Sequence, residues 1–455
     1  MFLGAFKGAK RRGIGVSLKT PESIRQLQRK LYVAAKQSPK RRFHQLYDKV
    51  YRVDTVVHAY ALAKFHGGAP GIDGVTFESI EAEGLEEWLE RLSKELHEKT
   101  YKPSPVRRVM IPKPGGGERP LGIPTIRDRV AQTAAKLVLE PIFEADFEAS
   151  AYGYRPRRSA EDAVREVHRL LCQGYTDVVD ADLSKYFDTI PHQELMGLVA
   201  RRIVDRQILK LIKMWLKAAV EERDERGNRR ITGGKGSQMG TPQGGVISPL
   251  LANIYMHRFL KVWREGSKGA EYHAYIVNYA DDLVILSRDR AAPALEWTRQ
   301  AMRAIKLTLN ETKTCIRDAR QERFNFLGYS FGPERFRKDG HWYLAAQPSE
   351  KAIQQVKEQV AALLRAGNQD PWEEVVTQLN RKLRGWANYF RYGTRLRAYR
   401  AIDNYVYHRA AHFLRRRHKV RQRCIRQFSA AAIFEEFKVQ RLRALHVGAP
   451  ACATT

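Results

Sequence analysis

Residues 275–286 read Tyr-Ile-Val-Asn-Tyr-Ala-Asp-Asp-Leu-Val-Ile-Leu, two apolar, β-branched runs on either side of adjacent carboxylates. Runs of this kind form short strands. The bend between them falls at Ala280, Asp281 and Asp282, so the stretch predicts a β-hairpin with two acids at its tip. Asp is a common turn residue in its own right, and the pair alone would say no more than that. A second carboxylate set and a glycine-rich loop lie upstream, and together they make metal-assisted phosphoryl transfer available. There, two hard cations about 3.5–4 Å apart clamp the attacking and leaving oxygens. Magnesium takes oxygen ligands and usually only one or two protein carboxylates, so two or three Asp side chains meeting at one point suit it.

The upstream acids lie in Thr176-Asp-Val-Val-Asp180-Ala-Asp182-Leu-Ser-Lys-Tyr-Phe187-Asp188. Val178, Val179 and Ala181 predict a buried strand that ends at Asp182 and turns. Asp182 is placed to coordinate a metal directly and through a neighbouring backbone carbonyl. Asp180 and Asp188 compete with it, and spacing does not choose among the three. Gly240-Thr-Pro-Gln243-Gly244-Gly245 opens an apolar helix from Leu250 to Phe259. Its glycines let a backbone approach a base pair or phosphate closely, although plain helix-entry loops use Gly and Pro too. Two strand-like runs between Val106 and Pro124 surround a Gly-Gly-Gly turn that Lys113 enters and Arg119 leaves. Such a hairpin suits a triphosphate, Arg gripping by its fork and Lys as a point charge; the bland alternative is an exposed surface hairpin.

The rest of the chain reads as mostly helical. Thr20 caps a helix with Pro21 at its first position, and a basic helix runs through 40–66. Further helices are expected over about 82–98, 128–143, 159–172, 193–220 and 291–305, with a polar hairpin around 224–228. Phe324-Asn-Phe-Leu327-Gly328-Tyr329 reads as a strand and turn. From Ser349 the apolar stripes Ile353, Val356, Val360, Leu363, Leu364 and Val375, Leu379, Leu383 are helical. Trp386, Tyr389 and Phe390 stand at spacings that make core packing their ordinary reading.

Composition adds one sharp clue. The 455 residues carry a net charge of +30, and residues 1–50 hold 13 Lys/Arg against 2 Asp/Glu while 381–445 hold 18 against 3. The two ends thus account for all but four of the excess charges. That clustering points to polyanion-binding ends around a nearly neutral middle. Cys172, Cys315, Cys424 and Cys452 form no C-x-x-C, so neither a zinc ribbon nor a disulfide framework is suggested. No apolar run approaches the length of a membrane span, and an intracellular protein with no membrane partner is expected.

In order along the chain, Asp182, Pro-Gln243-Gly, Tyr-Ala-Asp281-Asp282, Lys313 and Phe-Leu327-Gly328-Tyr329 resemble the palm of a reverse transcriptase. Ala69-Pro-Gly-Ile-Asp-Gly-Val75, Ile111-Pro-Lys-Pro-Gly-Gly-Gly, Arg119-Pro-Leu-Gly-Ile-Pro, Gly153-Tyr-Arg-Pro156 and Gly385-Trp-x-x-Tyr-Phe390 resemble group II intron-encoded reverse transcriptase/maturases. The resemblance covers about residues 20–445. It implies an α+β right-hand polymerase with an antiparallel palm sheet and a helical thumb. Its parts would be a basic RNA-binding extension (1–60), fingers (61–175), palm (176–345), thumb or maturase domain (346–397) and a basic DNA-binding tail (398–455). It further implies that Asp182, Asp281 and Asp282, with the Leu183 carbonyl, hold two magnesium ions, leaving Asp180 and Asp188 in support. By the same resemblance Lys113 and Arg119 hold the incoming deoxynucleoside triphosphate and Phe187 rejects a 2′-hydroxyl. Gln243 and Gly244 back the nascent base pair, and Leu327, Gly328 and Tyr329 grip the primer.

The implied partners are group II intron RNA, target DNA, an RNA template and a DNA primer, in a bacterial cytoplasm near the nucleoid or in an organelle. Unlike many relatives, the sequence shows no C-terminal cysteine pairs or H-x-x-x-H-like cluster, so no cutting of its own second-strand primer is expected. Two other readings remain: a splicing-only RNA-binding maturase, and a domesticated reverse transcriptase of the retron, diversity-generating or defence kind.

Overall fold

The computed structural model describes residues 18–112, 117–223, 229–242, 244–336, 339–418 and 427–446. In chain order come α1 (Glu22–Gln37), α2 (Tyr47–Val50), α3 (Val53–His66), α4 (Phe77–His97), the hairpin β1 (Val106–Pro112) and β2 (Glu118–Ile123), α5 (Ile126–Glu144) and α6 (Ala160–Cys172). Then follow β3 (Asp177–Asp182), α7 (Tyr186–Thr189), α8 (His192–Ala200), α9 (Arg206–Leu216), β4 (Ala219–Arg223), β5 (Arg229–Gly233), α10 (Ser248–Glu265) and α11 (Lys268–Glu271). The hairpin β6 (Ala274–Tyr279) and β7 (Asp282–Ser287), α12 (Ala291–Ala304), β8 (Cys315–Asp318), β9 (Phe324–Phe326), β10 (Tyr329–Arg335) and β11 (Trp342–Pro348) precede a helical end. That end is α13 (Glu350–Leu363), α14 (Trp372–Tyr389), α15 (Leu396–Arg417) and α16 (Ala430–Glu435). The chain divides into two compact units, one of residues 1–147 and 187–257, the other of 148–186 and 258–455.

In the first unit the sheet runs β2-β1-β4-β5, with β1 parallel to β4 and the two hairpins antiparallel. Asp205 shows how this unit is tied. Its Oδ1 accepts from Gln207 N and Ile208 N at the start of α9, while Oδ2 accepts from Leu46 N (2.9 Å) and Tyr47 N (2.8 Å) at the start of α2. One carboxylate thus satisfies the orphan amides of two helix ends.

The second unit holds a four-stranded antiparallel sheet, order β6-β7-β3-β8, and a three-stranded sheet, order β11-β10-β9. Helix α6 covers this unit's core. Ser159 and Asp162 form its capping box, each side chain accepting from the other's backbone amide. Its apolar stripe of Val164, Val167 and Leu171 packs with Val178, Val284 and Phe331.

Several sequence expectations are corrected. The helix expected through 40–66 is interrupted because Phe43 pairs with the chain at Ile203, its amide donating to Arg202 O (2.7 Å) and its carbonyl accepting from Val204 N (2.9 Å). Tertiary pairing overrides local propensity there. The helical stretch expected to reach 220 stops at Leu216, since Val220 pairs with Val106 of β1. Helix α1 begins one residue later than expected, with Pro21 rather than Thr20 in the capping place. The loop residues 113–116 and 224–228 lie outside the described residues. So do the first 17 residues, Cys424 and Cys452, while Cys172 and Cys315 are free thiols.

The expected boundary at 397/398 falls inside the first turn of α15. Ile402, Val406, Phe413 and Leu414 of α15 share one core with Val356 and Val360 of α13 and Leu379 and Leu383 of α14. Phe428, Ile433, Val439 and Leu442 belong to the same cluster. Buried Asp403 accepts from Leu442 N at 2.8 Å, and Arg409 Nη2 donates to Ala361 O and Leu364 O at the end of α13. The described residues of the basic segment, 396–418 and 427–446, therefore share one helical core with α13 and α14. Its charges dominate the composition while its apolar stripe decides its place. Among the described residues no helix is long and apolar enough to cross a membrane.

Ile402, fully buried in that core, gives a direct check. Ile402→Ala should cost about 2–5 kcal/mol by chemical denaturation, whereas a residue on a detached tail would cost under about 0.5 kcal/mol. A shift in the lower range would contradict the shared core.

Candidate active site

The β6–β7 hairpin closes with two loop residues, Ala280 and Asp281, because Tyr279 pairs directly with Asp282. Ala280 lies at φ 59, the left-handed first position that tight hairpin turns demand and that a Cβ disfavours. Two devices hold it there. Asn278, buried at 2% exposure, donates from Nδ2 to Ala280 O (3.0 Å) and Asp282 O (3.2 Å). From behind, residues 150–153 press on the turn: Asn278 N donates to Ser150 O, Tyr152 N donates to Asn278 O, and a Cβ on Gly153 would stand 2.5 Å from Ala280 N. Arg155 in turn anchors this loop, Nη1 donating to Glu148 O (2.6 Å) and Ala151 O (2.7 Å).

Strand β3 brings the second acid. Its register places Asp182 opposite Asp282 and Asp180 opposite Val284. Asp182 Oδ2 accepts from Lys313 Nζ (3.2 Å) and Asn310 Nδ2 (3.1 Å), and Asp182 O accepts from Asn310 N (2.7 Å). Leu183 forms an antiparallel bridge with Leu309, so the same segment that presents Asn310 and Lys313 also fixes the end of β3.

The electrostatics follow from this crowding. Asp282 is pushed up to about 7, first by loss of water around it, then by the negative charges of Asp281, Asp182 and Asp180; Lys313 opposes the shift. Asp282 still keeps a solvent-facing edge, so the crowding of like charges is the part that a bound cation would relieve. Asp180 is pushed up to about 6, again by burial first, with Arg317 opposing and Asp182 adding to it. Among the described residues no three His, Cys, Asp or Glu side chains converge on a single point. The donors gathered here are nonetheless carboxylate oxygens, crowded enough to resist ionising together, and that chemistry fits a hard divalent ion such as magnesium. Asp188 lies in the other unit.

The second turn of interest joins β9 to β10. Leu327 (φ 50) and Gly328 (φ 77) form its two-residue loop between paired Phe326 and Tyr329. Tyr329 is 1% exposed, so its ring packs inward. Its hydroxyl donates to Tyr389 O (2.9 Å), while the Tyr389 hydroxyl donates to Leu327 O (2.9 Å). Tyr389, at the end of α14, is therefore more than the core residue its spacing suggested. It remains 43% exposed, and its hydroxyl is pushed up by burial first, then by Tyr279 and Asp282.

The first unit carries the remaining expected residues. Arg119 is exposed on β2, opposite Ile111. Phe187 is buried in α7, its carbonyl accepting from Thr241 N at 2.7 Å. Gly244, at φ 107, lies so close to β2 that a Cβ would stand 2.1 Å from Gly122 O. The glycine loop thus rests on the strand that carries Arg119. Lys113 and Gln243 lie outside the described residues. The sequence points to no place in the site for Asn278, Asn310 or the Gly153–Arg155 loop, and to core packing for Tyr389. Asn278, a polar residue inside a β-branched run, is the one that carried a signal.

Residues 111–331 match the family described as reverse transcriptase (RNA-dependent DNA polymerase), and residues 353–429 match the group II intron, maturase-specific domain. Protein YkfC of Escherichia coli K12 is 35% identical over 367 residues, which is 72% of this chain and 93% of that protein. The group II intron-encoded protein LtrA of Lactococcus lactis is 37% identical over 221 residues, 48% of this chain but only 35% of its own length. A telomerase from Candida albicans, solved with a fragment of telomeric RNA, aligns with a TM-score of 0.42 at 12% identity, over 81% of this chain and 71% of that one. That likeness is too distant to argue from.

The packing of Gly153 on the turn is testable by amide exchange. Gly153→Ala should displace the Ala280 peptide and raise exchange at Tyr279–Asp282 by at least about tenfold, with β3 protection retained. Unchanged exchange at the turn would show that the loop does not support it.

Proposed function

This chain belongs to the family of group II intron reverse transcriptase/maturases, and on that premise we propose that it copies intron RNA into DNA at an insertion site and assists splicing of that RNA. The observation that carries the catalytic reading is the register that sets Asp182 opposite Asp282, with Asp281 in the adjoining turn.

In the proposed reaction the 3′-hydroxyl of a DNA primer attacks the α-phosphorus of a deoxynucleoside triphosphate paired to the RNA template, and pyrophosphate leaves. Asp182, Asp281 and Asp282, with the Leu183 carbonyl, would hold two magnesium ions. Bound magnesium supplies activation of the attacking hydroxyl and neutralises charge on the leaving oxygens. Asn278 keeps the Asp281 turn in the shape that presents its carboxylate. Lys313 and Asn310 orient Asp182. Arg119, with Lys113, would fork the triphosphate. Gln243 and Gly244 would back the nascent base pair, a role supported by a glycine loop lying flat on β2. Phe187 would reject a 2′-hydroxyl. Leu327 and Gly328 would meet the primer through the turn itself, Tyr329 standing behind them.

The partners follow from charge. Residues 1–50 and 381–445, with 13 and 18 Lys/Arg, would contact phosphates of intron RNA and target DNA. Relatives from bacteria support a bacterial cytoplasm beside the nucleoid, and a mitochondrial relative supports an organelle, as the place of work.

Primer extension on poly(rA)–oligo(dT) tests the reading. Asp281→Ala and Asp182→Ala should each lower the rate at least about 1000-fold while RNA affinity stays within about twofold, since several kcal/mol of transition-state stabilisation is lost. In the same assay Phe187→Ala should admit ribonucleotides. An Asp281→Ala protein that extends at a tenth of the parental rate would sink the catalytic assignment, and an unchanged deoxy-to-ribo preference would make Phe187 a packing residue.

A further inference from the structure

Beside the catalytic hairpin stands a residue whose conformation needs an explanation. Tyr154 is 46% exposed and held at φ 56, a left-handed backbone that a bulky side chain disfavours. The loop around it is fastened on both sides. Gly153 abuts Ala280 N, and Arg155, only 9% exposed, donates to Glu148 O and Ala151 O. Arg157 follows in a second left-handed turn at φ 60. Tyr152, two residues earlier, is half-buried beneath the Arg158 guanidinium at 4.9 Å. The two tyrosines therefore differ in kind: one packs, and one is presented.

What Tyr154 is presented to is set by its neighbour. Its ring centroid lies 6.5 Å from that of Tyr279, with the planes 42° apart. Tyr279 pairs directly with Asp282 and immediately precedes the turn that carries Asp281. Backbone strain kept in place by surrounding bonds, next to the reacting groups, is where functional contacts concentrate. The two rings thus border the strand end that carries those carboxylates. The C–H groups of the sugars offer a weakly polar surface to an aromatic ring, and such contacts tolerate any sequence, as a copying enzyme requires.

We propose that Tyr154 is a contact residue for the RNA–DNA template–primer duplex, its ring and that of Tyr279 forming one surface for the base pairs nearest the reacting primer end. The proposal rests on the polymerase reading above. It concerns duplex placement rather than the incoming nucleotide, and Tyr154 takes no part in proton or phosphoryl transfer.

Three variants of the full chain test it: Tyr154→Ala, Tyr154→Gly and Tyr154→Phe. Binding is read by fluorescence anisotropy of a labelled RNA–DNA hybrid with a recessed primer end, and extension by the KM values for hybrid and for dTTP. The Ala and Gly variants should bind the hybrid about tenfold more weakly and raise its KM similarly, with the dTTP KM within about twofold of the parent. The Phe variant keeps the ring and should stay within about twofold of the parent in both measures. Glycine relieves the left-handed strain, so Tyr154→Gly should melt no lower than the parent, which separates lost contact from lost folding. Hybrid affinity unchanged in the Ala and Gly variants, or a loss confined to the dTTP KM, would overturn the assignment. The binding arm decides the Tyr154 contact whether or not the protein extends primers, and failure of the unmodified protein to extend would count against the polymerase reading alone.

Discussion

The pairing of β3 with β7 is the interaction on which the proposed catalytic end depends. Directly opposed residues of an antiparallel pair have Cα atoms about 4.5–5.5 Å apart, so a register that matches Asp182 with Asp282 forces two carboxylates together. Like charges so placed oppose the pairing. What holds the register is the rest of the strands: Val178, Val179, Val284 and Ile285 are fully buried. Adjacent residues point to opposite faces, so both faces of this strand pair are packed, and a slipped register would have to repack each of them. The core therefore fixes the position of charges that would otherwise separate. Lys313 and Asn310 on Asp182 offset part of the repulsion.

Much of this was legible along the chain because it depends on local periodicity. Alternating and β-branched runs gave the central hairpin, β3, and the β9–β10 turn, and spacings of three and four gave α13 and α14. The resemblance supplied the choice of Asp182 over Asp180 and Asp188; the strand register sets Asp182 opposite Asp282 and Asp180 opposite Val284. What was not legible depends on segments far apart in sequence. Gly153 is a glycine because the Ala280 peptide comes to rest against it, and nothing within several residues of either position signals that approach. Phe43 leaves the expected helix to pair at Ile203 for the same kind of reason. In α15 the helical spacing of Ile402, Val406, Phe413 and Leu414 makes packing readable from the sequence beside the arginines that point to binding, and these four residues lie in the core.

The helical end of the chain joins two tasks through one contact. Tyr389 closes α14, within the stretch that matches the maturase-specific domain, and exchanges hydrogen bonds with the Leu327–Tyr329 turn. Leu327 sits at φ 50, a conformation that needs such support. The turn proposed to meet the primer is thus held by the end of α14. Burial of α15 in the helical core leaves Arg416 and Arg417 exposed while Arg409 turns inward to Ala361 O and Leu364 O.

The central claim is that Asp182, Asp281 and Asp282 share bound cations, and iron-directed cleavage tests it without relying on turnover. Fe²⁺ takes oxygen ligands where Mg²⁺ does, and with ascorbate and peroxide it cuts backbone close to where it binds. Peptide mapping should find cuts grouped at residues 180–183, 279–283 and 309–314, suppressed by excess Mg²⁺ and absent from Asp281→Ala. Cuts elsewhere, or cuts at these places that persist in Asp281→Ala, would contradict the account.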